Sequence, residues 1–106
     1  CHTVNRTATE GRDVVVGTWN DGRIGTFRGI RQGKGGYGAI LFFENGIRHV
    51  EPETGMLYVH LTREILKFFR TGNSPIPQEE TIAMFSFMEA ADKSKAADGA
   101  TIDLER

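Results

Sequence analysis

A chain of 106 residues with 39% hydrophobic residues, 25% charged residues and a net charge of -1 has the makeup of one ordinary globular domain. Its near-neutral charge excludes a general attraction to nucleic acid or to an anionic membrane, and its single cysteine, Cys1, excludes an internal disulfide. No apolar run approaches the ~18 residues of a membrane span, so the protein is expected to be soluble; its compartment is left unread by the single cysteine, with the cytoplasm slightly favoured.

Strand signals fill residues 2–51. His2 to Ala8 alternates loosely, and Asp13 to Trp19 is rich in β-branched and aromatic residues. Asn20-Asp21-Gly22 then supplies residues that tolerate positive φ, so Arg23 to Ile30 is expected to fold back as the second arm of a hairpin. Tyr37 to Phe43, the turn Glu44-Asn45-Gly46 and Ile47 to Glu51 predict a second hairpin. Apolar residues fall on both sides of two strands: Val14 and Val16 against Val15 and Trp19, and Leu41 and Phe43 against Ile40 and Phe42. A sheet with one wet face alternates more cleanly. The pattern therefore predicts helices on one face and a cover from outside on the other.

From about residue 57 the period lengthens. Leu61, Ile65, Phe68 and Phe69 share a stripe at helical spacing, and Thr71-Gly72 is a helix stop, which predicts a first helix over 57–70. Pro75 and Pro77 enforce an extended connection. A second helix is predicted over 78–96, with Glu79 and Glu80 at the positive end of its dipole and Lys93 and Lys95 at the other. Its expected buried stripe is Ile82, Phe85, Met88 and Ala91. Pro77 precedes it and has no side-chain oxygen, so this helix is expected to begin without a side-chain acceptor. Gly99 ends it, and residues 101–104 are expected to form a short closing strand. The whole reads as a single α+β domain: an antiparallel sheet of about five strands with two helices packed on one face.

Few motifs carry chemistry. Gly33, Gly35 and Gly38 match the spacing of a dinucleotide fingerprint, yet the residues after them are strand-like, whereas pyrophosphate binding requires a helix to begin there. A Gly-rich turn is the expected role. His49, Glu51 and Glu53 alternate along one segment and His60 lies one helical turn from Glu64, but neither set offers three convergent ligands, and no metal site is assigned. Arg23, Arg28, Arg31 and Lys34 concentrate positive charge on one hairpin and the loop after it. They are the candidate contacts for an anion or substrate carboxylate, set against the simpler role of protecting a strand edge.

The stretch Glu64-Ile65-Leu66-Lys67-Phe68-Phe69-Arg70-Thr71-Gly72, followed by Glu79-Glu80-Thr81-Ile82 and Phe87-Met88-Glu89-Ala90-Ala91-Asp92, resembles the C-terminal end of the Gfo/Idh/MocA family of nicotinamide-dependent dehydrogenases, the relatives of glucose-fructose oxidoreductase and inositol dehydrogenase. Gly25 to Arg31, with the Gly-rich turn and Tyr37-Gly38, is similar to part of that family's substrate-domain sheet. The resemblance implies a C-terminal sheet domain serving substrate binding and oligomerisation in an enzyme that oxidises a sugar or polyol hydroxyl. NAD or NADP would be held by a preceding Rossmann domain. It implies a homo-oligomer formed through the open sheet face and no catalytic or cofactor-binding residue within this chain, which alone would be inactive. The near-neutral charge and the lack of a long apolar run argue for no nucleic-acid or membrane partner. The alternative from another class is a self-contained binding or oligomerisation module that uses the exposed sheet face.

Overall fold

The computed structural model describes residues 1–52 and 54–104. Its elements run β1 (Thr3–Ala8), β2 (Arg12–Thr18), β3 (Ile24–Ile30), β4 (Ala39–Phe43), β5 (Gly46–Val50), a 3-10 turn at Thr54–Met56, α1 (Leu57–Thr71), α2 (Gln78–Ala96) and β6 (Ile102–Asp103). The class is α+β with antiparallel sheets, as the sequence predicts; six strands and two helices are present among the described residues, against about five strands expected. The strands form two sheets: a four-stranded one in the order β3-β2-β1-β6, and the separate hairpin β4-β5. By contacts the chain divides into two compact units, Cys1–Gly35 with Ile76–Arg106, and Gly36–Pro75. The division has a local cause: the chain crosses between units in the Gly-rich segment after β3 and beside Pro75, the two places least able to continue a strand or helix.

In the first unit β1 and β2 pair with Ala8 opposite Asp13 and Val4 opposite Gly17, and β2 and β3 pair with Val15 opposite Phe27. Period-two alternation therefore puts Val4, Arg6, Asp13, Val15, Gly17, Gly25, Phe27 and Gly29 on one face. Helix α2 packs there, against β1 and β6. The buried core is Val4, Val15, Ala90 and Ala91, with Cys1, Phe87, Ile102 and Leu104 packed around it. The sequence placed the buried stripe of α2 at Ile82, Phe85, Met88 and Ala91. Of these only Ala91 is buried, and the contact face runs through Phe87, Ala90, Ala91 and Ser94. Small residues win that position because a helix can approach a sheet closely only where its side chains are short. Helix α2 has Pro77 at its N-cap and no side-chain cap, as expected.

Glycines serve this packing at one place in particular. A methyl group on Gly17 would stand 2.8 Å from the Phe87 ring, 3.1 Å from the Cys1 sulfur and 3.1 Å from the Trp19 ring. Trp19 also lies over Gly25, where a methyl group would stand 3.2 Å from its ring.

The second unit holds the hairpin β4-β5, in register from Ala39 opposite Val50 to Phe43 opposite Gly46, and helix α1. Helix α1 ends as predicted, at Gly72 in the left-handed conformation, whose N–H donates to the Phe68 carbonyl at 2.7 Å. Its stripe of Leu61, Ile65, Phe68 and Phe69 is present but exposed, and no described residue of α1, β4 or β5 is buried.

Candidate functional site

The densest chemistry lies where β1, β2, the end of β3 and α2 meet. Hairpin register puts the Arg6 and Asp13 side chains on the face that α2 covers. Arg6 Nε donates to Asp13 Oδ1 at 3.4 Å, and Arg6 Nη1 donates to Asp92 Oδ1 of α2 at 2.7 Å. Arg31 donates to the other Asp13 oxygen and to the Thr9 carbonyl, and its Nε donates to the Glu10 carbonyl at 3.1 Å. Asp13, 6% exposed, is thus held between two guanidinium groups. Burial pushes its carboxyl up, but the hydrogen bonds and charges of Arg6 and Arg31 together outweigh that and hold it below the usual carboxylate range. Such a carboxylate stays ionised near neutrality with both oxygens engaged. It is suited to fixing strands and helix together and unsuited to moving a proton.

Beside it, Ser94 is fully buried, and its Oγ accepts from the Arg6 backbone N–H at 2.8 Å while donating to the Ala100 carbonyl at 2.6 Å. Strand β6 pairs with β1 only at Thr3 and Val4, so the hydroxyl satisfies the backbone of β1 past the last paired residue. Gly99, at φ 87°, lets the chain turn there, with its N–H donating to the Ser94 carbonyl at 2.8 Å. Among the described residues no buried side-chain nitrogen or oxygen lacks a partner.

The four basic residues singled out in the sequence do not share one location. Arg23 pairs with Asp21 at 2.8 Å in the β2-β3 turn and lies 5.8 Å from the Trp19 ring centre. The N–H of Arg23 is the first cause of the lowered pKa of Asp21. Arg31, beyond the other end of β3, is engaged by Asp13. Arg28 lies on the face opposite Phe27, and Lys34 is in the exposed loop. Sequence reasoning missed Arg6, Asp13 and Ser94. A signal was present: Arg6 and Asp13 fall in phase with Val4 and Val15 across a short turn, where an apolar pair would be the ordinary choice.

A groove of about 500 Å³ runs between α2 and β6, walled by Ser86, Ala90 and Asp103 and by Glu89 and Lys93, whose side chains bridge at 2.9 Å. The Gly33–Gly38 segment leads into β4, so it lacks the strand-turn-helix arrangement that a dinucleotide requires. Among the described residues no group of three His, Cys, Asp or Glu side chains is placed to hold a metal ion. His49 lies on β5 while His60 and Glu64 lie on α1; Glu53 falls outside the described residues. No helix among the described residues is long and apolar enough to cross a membrane. Compared with known proteins, the chain matches no family model, no curated protein and no solved structure.

Proposed function

We propose that the chain is the C-terminal sheet-and-helix part of an NAD(P)-dependent oxidoreductase acting on a sugar or polyol hydroxyl, serving to shape the substrate side and to hold subunits together. The cofactor and the hydride-transfer residues belong to a preceding Rossmann half. One observation carries this reading: the antiparallel strands, the Pro-bounded connection and the two helices follow one another in the order that the family resemblance implies, with large apolar side chains left uncovered on several of these elements. Those side chains suit a body designed to be shielded by a neighbour. The basic residues Arg28 and Lys34, which have no ion-pair partner among the described residues, supply the candidate anion contacts in this reading.

The test is the reading frame that contains this chain and the activity of its full product. The reading requires a strand, Gly-rich turn and helix within roughly 300 residues before Cys1. It also requires reduction of NAD or NADP by the full product with sugars or polyols. A frame without that half, or a product that neither binds nor reduces a nicotinamide cofactor, overturns it and leaves the self-contained association module.

A further inference from the structure

The outer edge of the four-stranded sheet is β3, seven residues long and without a pairing partner on its far side among the described residues. An edge of that length is a template for another strand unless proline, a bulge or clustered charge blocks it. Strand β3 has one charge, Arg28, and no proline. Ile24 (71% exposed), Phe27 (61%) and Ile30 (44%) stand open along it.

The sequence of this edge is nearly the same read in either direction. Ile24-Gly25-Thr26-Phe27-Arg28-Gly29-Ile30 is symmetric about Phe27 except for Thr26 and Arg28. We infer that β3 pairs antiparallel with β3 of a second copy of this chain, across a two-fold axis through Phe27, joining two four-stranded sheets into one of eight strands.

Hydrogen-bond parity supports that register. The Trp19 N–H donates to the Arg23 carbonyl and the Arg31 N–H donates to the Gly11 carbonyl, at the two ends of the β2-β3 ladder. Because bonded and non-bonded pairs alternate in an antiparallel ladder, the odd-numbered residues of β3 turn their backbone groups to β2. The even-numbered residues Ile24, Thr26, Arg28 and Ile30 turn theirs outward. Symmetry about Phe27 places Ile24 opposite the second copy's Ile30 and Thr26 opposite its Arg28, so outward groups meet outward groups and about eight inter-chain hydrogen bonds form. A register displaced by one residue would set outward groups against inward ones.

Side chains agree with the backbone. Phe27 meets its own copy as a non-bonded pair, where Cα atoms come within ~4.5 Å and side chains lie closest. Gly25 and Gly29 of either copy are its diagonal neighbours on the same face, leaving room for the two rings. On the other face Ile24 meets Ile30. Arg28 faces a threonine, with the second copy's Arg28 only on the diagonal, a repulsion that splayed side chains and salt reduce. A contact made of one strand pair is small, so the dimer is of the weak, concentration-dependent kind. This inference uses the sheet edge, and it stands whether or not the oxidoreductase reading does.

The experiment is sedimentation of the full 106-residue chain from ~5 to ~500 µM, a range suited to a small interface. Dimer should grow in with concentration. Thr26→Pro removes an outward N–H while leaving the bonds to β2 untouched, so it should weaken the dimer at least about tenfold with an unchanged circular-dichroism spectrum. In a Cys1→Ser background, Phe27→Cys should form a disulfide-linked dimer on mild oxidation, since the paired Cα spacing suits the bond, and Arg28→Cys should do so much less. A chain that stays monomeric throughout, a dimer that Thr26→Pro leaves intact, or equal cross-linking by both cysteine variants overturns the inference.

Discussion

The two units differ in what they enclose, and the difference runs against their composition. The unit of Gly36–Pro75 holds Leu61, Ile65, Leu66, Phe68, Phe69, Phe42 and Phe43, yet none of its described residues is buried. The unit of Cys1–Gly35 with Ile76–Arg106 encloses Val4, Val15, Ala90, Ala91 and Ser94, the smaller side chains of the molecule. Large apolar residues do not make a core by themselves. A core needs two surfaces that can approach, and here the approach comes from short side chains on α2, a bare Gly17 on the sheet and a serine that satisfies the backbone between them.

That contrast predicts where substitutions will hurt. Ser94→Ala should have the largest effect, because it leaves the Arg6 N–H and the Ala100 carbonyl without their partner in a closed site. At ~1–3 kcal/mol for each buried group left unsatisfied, the loss should be about 3 kcal/mol, read as a lower denaturant midpoint at unchanged slope. Val4→Ala comes next. Val4 is fully buried, so removing two methyl groups should cost about 2 kcal/mol from transfer and the cavity left behind. If either change proves harmless, α2 is not the element that closes this unit.

Acid should act on the same unit through Asp13. Its folded pKa is lowered by Arg6 and Arg31, so the ionised form is favoured by folding and its contribution is fully present above the unfolded pKa, ordinarily about 3.9. That contribution is lost as pH falls through the lower folded value. Stability measured by denaturation should therefore drop as pH falls below about 4, and Asp13→Asn should be less stable at neutral pH with a shallower acid dependence. A variant whose acid profile matches that of the parent chain would show that the clamp contributes nothing to folding.

Much of this was legible from residue pattern alone. The strand and helix positions followed from period two giving way to period 3.6, and the stops at Gly22 and Gly72 from glycine's access to positive φ. The separation into two sheets was not legible, because alternation states which residues can pair with a neighbour and not which neighbour they find. The buried side of α2 was misjudged for a related reason. Ile82, Phe85 and Met88 have the larger transfer free energies, but distance to the sheet selected Ala90, Ala91 and Ser94, and that distance depends on the partner surface. Arg23, Arg28, Arg31 and Lys34 were close in sequence and dispersed in space because they straddle a turn, two faces of a strand and a loop. The Arg6–Asp13 pair carried a phase signal that charge alone disguised as surface.

The smallest effect should come from the helix with the strongest apolar stripe. Ile65 of α1 is 42% exposed, so Ile65→Ala removes few contacts and substitutes a better helix former, and stability of the chain by itself should change by less than about 0.5 kcal/mol. The informative comparison is with the same substitution in the longer product that the oxidoreductase reading requires. If α1 is shielded there by a neighbouring domain or subunit, Ile65 becomes a buried side chain and its truncation should cost about 2 kcal/mol or more. A large loss in the isolated chain would mean that α1 already has a partner within it. A negligible loss in both settings would mean that its stripe is never covered, and the case for a shielded helix would fail.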